Sequence, residues 1–196
     1  MRKFIAIALF MLSMAACSTT KVPLKYYNTQ GATRTAVPPS GKTVNVGAFA
    51  DKRGEPPNWL GSIRGTYGNP IKNLESDQPV STVVQTEFVD GLHARGIESS
   101  ATAPVQLTGV VKKLDCNQVF RREANVEIEI SVTDTASGRS TFTQTYSTSN
   151  IDGSVVSLEI GIFAAVEDLR ALTEKTLRET VDKALDDPAL RAALQL

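Results

Sequence analysis

The stretch N-V-E-I-E-I-S-V, residues 125 to 132, constrains the fold more than any other part of the chain. Successive side chains of a strand point to opposite faces. The alternation therefore predicts Val126, Ile128, Ile130 and Val132 against a core, with Glu127, Glu129 and Ser131 in water. A sheet wetted on one face needs a covering layer only on the other. The turn-forming D-T-A-S-G-R of residues 134 to 139 then leads to a last strand with Phe142 and Tyr146 on one face, which predicts an antiparallel hairpin.

The other elements follow from the same kind of pattern. T-V-N-V-G-A-F-A from Thr43 predicts a first strand, with Val44, Val46 and Ala48 set against Asn45 and Phe49 near its end. Residues 51 to 76 carry four glycines and three prolines, an unusual length for a connection without regular structure. Part of it reads as a hairpin, Trp59 to Ile63 returning through Tyr67-Gly68-Asn69-Pro70 to Ile71 to Leu74. A helix follows, capped by Ser76 or Asp77, with Val80, Val84, Phe88 and Leu92 on one stripe and Gly96-Ile97 as its exit. Val105 to Leu114 predicts a strand bulged at Gly109, where the apolar parity changes. The closing helix runs from near Leu158 to Leu185 on a stripe of Ile162, Val166, Leu169, Thr173, Leu177, Val181 and Ala184. Asp187-Pro188 breaks it before a short terminal helix. The expected fold is α/β in two layers (α+β). A mainly antiparallel sheet of about four strands packs against two helices in the order β-α-β-β-β-α.

The N-terminus carries a different message. Arg2 and Lys3 precede an apolar run from Phe4 to Met14 that is too short to span a bilayer, for which roughly 20 residues are needed. Small residues then lead into a cysteine, and Met14-Ala15-Ala16-Cys17 resembles the bacterial lipobox. Met14 stands where an aliphatic such as leucine is usual. The resemblance implies cleavage before Cys17 and acylation of its thiol. Ser18 at the next position implies sorting to the outer membrane. Several acyl chains at Cys17 would hold firmly, since each buried methylene contributes about 0.8 kcal/mol. The expected organisation is a lipoprotein signal peptide over 1–16, a lipidated, flexible tether over 17–42 and a single domain over 43–196. Tyr26 and Tyr27 in the tether would dock on the domain or at the bilayer.

Removing 16 of the 196 residues leaves 180, enough for one real core. The 21 basic side chains become 19 without Arg2 and Lys3, against 21 acidic ones. Such balance argues against nucleic acid, which needs clustered Lys and Arg. With Cys17 acylated, Cys116 has no intramolecular partner and reads as a small buried hydrophobe.

V-Q-L-T-G-V-V-K-K-L at 105 to 114, N-V-E-I-E-I-S-V-T-D-T-A-S-G from 125, T-Q-T-Y-S-T-S-N-I-D-G from 143 and the long helix resemble the YajG-type lipoproteins of Gram-negative bacteria. Their Y-x-x-x-x-x-x-G segment matches Tyr146 through Gly153. The resemblance covers residues 43 to 186 and implies an envelope lipoprotein.

No arrangement of residues spells out catalysis. His93, the one histidine, sits near a helix C-terminus, where a surface or capping role fits better than a triad. With a single histidine and no cysteine pair, a soft-ligand metal site of ordinary spacing is not expected. Asp186 and Asp187 lack the frame of a calcium loop. Glu127 and Glu129 could mimic a carboxylate pair but read as a solvated face. Asp51 and Arg53 could form a charged site at a strand end, or a structural ion pair. The remaining cluster is Arg53, Trp59, Arg64 and Tyr67, residue types that carry interface energy. An exposed Trp59 makes the loop a recognition surface, whereas a Trp59 packed on the sheet, the reading slightly favoured for that residue, makes it a lid over the core. The sequence thus predicts a non-enzymatic protein without cofactor, anchored through Cys17 on the periplasmic side of the outer membrane. It binds an envelope protein or glycan through the 51–70 loop and a sheet edge. The alternative is a carrier of a small or lipidic ligand, in a pocket lined by Phe88, Leu107 and Phe163 between sheet and helices. An enzyme using the Asp51 and Arg53 region together with Glu carboxylates is the third reading.

Overall fold

The computed structural model describes residues 18–24, 39–65, 67–153 and 162–196. The signal peptide, Cys17, Tyr26, Tyr27, the expected helix start at Leu158 and the Phe163 side chain lie outside that set. The elements are β1 (Ser18–Val22), β2 (Thr43–Asp51), β3 (Trp59–Arg64), β4 (Pro70–Ser76), α1 (Val80–His93), β5 (Glu98–Ser99), β6 (Val105–Gln118), β7 (Arg122–Asp134), β8 (Ser140–Asp152), α2 (Ile162–Leu185) and α3 (Pro188–Ala193).

The sheet corrects the sequence-based expectation of a mainly antiparallel sheet of about four strands. It is one mixed sheet of eight strands. Four of the seven pairings are parallel (β1 with β4, β2 with β5, β2 with β6, β3 with β6) and three are antiparallel (β3 with β4, β6 with β7, β7 with β8). The physical reason lies in β6. One of its edges is shared, with β2 along Gln106–Val111 and β3 along Cys116–Gln118, while β7 runs along the whole of the other. Such sharing is set by tertiary pairing and leaves no local periodicity to read. The order also gains β1, drawn from the stretch read as tether, and the two-residue β5.

Within the elements the alternation serves as expected. Val126, Ile128, Ile130 and Val132 are buried, and β8 pairs antiparallel with β7 from Arg122–Asp152 to Thr133–Ser140. Two bulges move. In β6 the parity changes after Val111, at Lys112 and Lys113, rather than at Gly109. In β2 the register slips between Val46 and Phe49, so Ala48 is exposed and Phe49 buried. The Phe49 ring lies over the Gly109 backbone and stacks tilted on Phe88, centroids 5.3 Å apart.

The helices lie on the apolar face, α1 against β2 and β6, α2 against β7, β8 and β6. Val80, Val84, Phe88 and Leu92 of α1 are buried as the stripe predicts. Gly96 takes φ +72° and Ile97 donates back to Leu92 O, closing that helix. Its N-terminus departs from expectation: Pro79 holds the cap position without a side-chain cap, and the Val80 N–H donates to Pro57 O at 2.8 Å. On α2, Thr173, Thr176 and Thr180 are buried because each hydroxyl donates to the carbonyl four residues back.

Candidate functional site

β2 ends at Asp51, and the chain then makes the loop of residues 52 to 58 that returns into β3. Arg53 turns its side chain into this loop and is 3% exposed. Its Nε and Nη2 donate to the two Asp51 carboxylate oxygens at 3.0 and 2.8 Å. Nη1 donates to Trp59 O at 2.7 Å and Leu114 O at 3.0 Å, and Nη2 to Pro56 O and Pro57 O at 3.3 Å each. Burial by itself would raise the Asp51 carboxyl, but the hydrogen bonds and charge of Arg53 outweigh it and hold it below its ordinary value. The Asp51–Arg53 pair is therefore a clasp on the loop. The same loop supplies Pro57 O to α1 and Asn58 to Ser76, which accepts and donates across it.

The four residues of the predicted recognition cluster do not converge. Arg53 and Trp59 share a hydrogen bond at the start of β3, and Trp59 is half-buried. Arg64 and Tyr67 sit at its other end, a strand of six residues away, which is roughly 16 Å. There the chain turns over residues 65–69, the Gly65 N–H donating to Asn69 O and the Gly68 N–H to Gly65 O, with Gly68 at φ +80°. Tyr67 is 98% exposed at the tip. The exposed Arg64 donates through Nε to Ser62 Oγ.

The remaining candidates are dispersed. His93 is exposed on the last turn of α1, 3.6 Å from Glu98. Glu129 pairs with Lys112 at 2.7 Å on the open face of the sheet, which it shares with Glu127. Burial pushes the Cys116 thiol up to about 12, only partly offset by a hydrogen bond with Thr173. Phe88 and Leu107 are fully buried. Among the described residues no three His, Cys, Asp or Glu side chains are placed to hold a metal ion. One open cleft of about 350 Å³ lies beside β8 and α2, lined by Arg122, Asn150, Ile151, Asp152, Asp168 and Lys175 among others. It is polar-rimmed, and Arg122 bridges its two acids at 3.2 Å each.

One polar junction was not legible in the sequence. The Tyr146 hydroxyl donates to Asp187 Oδ2 at 2.8 Å, Gln144 donates to the same oxygen, and Asp187 Oδ1 caps α3 through the Ala189 N–H. Asp187 is held below the ordinary carboxylate value by the Tyr146 hydrogen bond first and the cap second. The signal available was Asp187-Pro188, an N-cap followed by proline at the first helical position.

Comparison with known proteins supplies what this geometry does not. A family model described as uncharacterised lipoprotein, Lipoprotein_16, matches residues 35–195. The chain belongs to this family. As a lipoprotein it is a membrane-anchored envelope protein. No curated protein matches the sequence. The lipoprotein's fold is similar to that of protein XCC0632 from Xanthomonas campestris, at a TM-score of 0.62 and 13% identity over 90% of this chain and 98% of that one. It is also similar to a minor lipoprotein from Acinetobacter baumannii, at a TM-score of 0.39 and 10% identity over 69% of this chain and 93% of that one. The first of these likenesses speaks to the fold alone, and the second is too distant to carry an argument.

Proposed function

We propose that this lipoprotein, of the YajG type, is a non-enzymatic binding protein of the outer membrane. It is acylated at Cys17, its domain faces the periplasm, and it docks an envelope protein or glycan along the free edge of β8. The observation that carries the reading is the edge itself. Among the described residues β8 pairs only with β7, so one side of a thirteen-residue strand has no strand partner, and Lys183 Nζ from α2 reaches the Ser147 carbonyl at 3.2 Å. Its sequence, STFTQTYSTSNID, contains no proline or lysine, the residues that usually blunt an edge. A strand of an envelope protein could add there, and the hydroxyl and amide side chains of the open face suit a glycan.

The loop of residues 51–70 contributes less than the sequence suggests, because Arg53 is committed to Asp51 and to four carbonyls. Arg64 and Tyr67 remain at the hairpin tip. A ligand carrier needs space beside Phe88 and Leu107, and both are packed with no exposure.

A photo-crosslinking amino acid in place of the exposed Ser147, in the lipidated protein in cells, tests the edge. One discrete adduct is the expected result. Absence of any adduct there and at Thr145 would remove the edge from consideration.

A further inference from the structure

The large hydrophobic side chains that the described residues leave exposed are Tyr67, Ile71, Val119, Phe120 and Ile151, at 98, 42, 41, 60 and 55%. They come from three different parts of the chain, yet the register gathers them at one end of the sheet. Arg64 pairs with Pro70 at the hairpin carrying Tyr67 and Ile71. Ile63 pairs with Gln118, which leads into Val119 and Phe120, and Gln118 pairs with Arg122 beyond that turn. Arg122 pairs with Asp152, next to Ile151. The opposite end is different: the turn between β7 and β8 presents Asp134, Thr135, Ala136, Ser137 and Arg139. Chance scatter of single apolar residues needs no explanation, but their confinement to one rim does.

The chain's own start says what that rim meets. Ser18, the first residue of β1, pairs in parallel with Lys72, so the N-terminus enters the sheet beside Ile71. Cys17 is one peptide bond from Ser18, about 3.8 Å between Cα atoms, and neighbouring strands lie about 4.8 Å apart. Acyl chains on Cys17 therefore leave the protein next to the rim, with no tether between lipid and sheet. The rim also carries Arg64 at the Tyr67 turn and Arg121, paired with Glu123, next to Phe120, and the boundary between headgroups and acyl chains favours aromatic rings and arginine stems.

We propose that the sheet end formed by the Tyr67 turn, Ile71, Val119–Phe120 and Ile151 rests on the bilayer surface that holds Cys17. This rests on acylation of Cys17. The strands then rise from the membrane, and the thirteen residues of β8 stand up to roughly 40 Å along their length. The rim acts as a second membrane signal beside the acyl chains and orients the domain, with the β8 edge running up its side from the bilayer and the polar β7–β8 turn at the far end.

The test places a small fluorescent amino acid singly at Tyr67, Phe120, Ile151 and, as the distal control, Ala136. All four positions are exposed, so none removes a core side chain. Each full-length lipidated variant is reconstituted in phosphatidylethanolamine–phosphatidylglycerol vesicles whose acyl chains are brominated near the headgroup, and mass spectrometry reads the acylation of Cys17. Strong quenching at 67, 120 and 151 with none at 136 is the expected result. Acylated protein whose rim is quenched no more than position 136 would overturn the inference alone. The rim would then be covered by protein, either the chain's own S-V-V-S-L-E-I-G at 154–161 or a second copy. A Cys17 without lipid would overturn the anchor and this inference together.

Discussion

Arg53 shows how a side chain chosen for recognition by its type can be used up by its surroundings. Its guanidinium closes the loop of residues 52 to 58, whose Pro57 carbonyl accepts from the first N–H of α1, so one residue ties β2, β3 and a helix start together. Replacing Arg53 by alanine leaves Asp51 and several carbonyls without their donor. We expect a loss of about 2–3 kcal/mol in denaturant unfolding, with Arg53→Lys recovering only part; a loss near zero would refute the clasp. Asp187 offers a second test at this scale, because its carboxyl is held below the ordinary 3.8 by Tyr146 and the α3 cap. A depressed carboxyl contributes stability above its unfolded value and loses it as pH falls through the lower folded one. Melting temperatures of the wild type and Asp187→Asn should keep a steady gap above about pH 5 and converge below it. Parallel curves down to strong acid would mean that the charge of Asp187 contributes nothing.

At the scale of elements, legibility followed locality. β7 and α1 announce themselves, since their buried faces repeat within a few residues and the structure uses each repeat. The β3–β4 hairpin was visible through its Tyr67-Gly68-Asn69-Pro70 turn. What could not be read was anything decided by a distant partner: the bulges at Lys112 and after Val46, the parallel pairings, and β1. S-T-T-K-V has no period of its own and becomes a strand only because β4 offers it an edge, which places Val22 at 2% exposure and Leu24 at 8%. The candidate site divides in the same way. The sequence picked Arg64 and Tyr67 by residue type, but burial took Arg53, and the Tyr146–Asp187 junction joins residues 41 apart that no spacing rule connects. Val22→Ala discriminates between a docked strand and a tether. The docked strand predicts a loss of about 2 kcal/mol in unfolding free energy, whereas a free tether predicts an unchanged midpoint.

Across the whole molecule, the described residues form a sheet with one covered face, one polar face, a long edge without a strand partner and an apolar rim beside Ser18. In the function we propose, anchoring, orientation and docking fall to three separate regions: Cys17 for the lipid, the rim for the bilayer surface and β8 for the partner. All three depend on the chain beginning its mature life at Cys17. The most direct measurement is mass spectrometry of the protein purified from envelopes of the native cell. The account predicts a mature N-terminus at Cys17 bearing a thioether-linked diacylglyceryl group and an amide-linked acyl chain. A mature chain that starts elsewhere, or carries Cys17 with a free thiol, would contradict it.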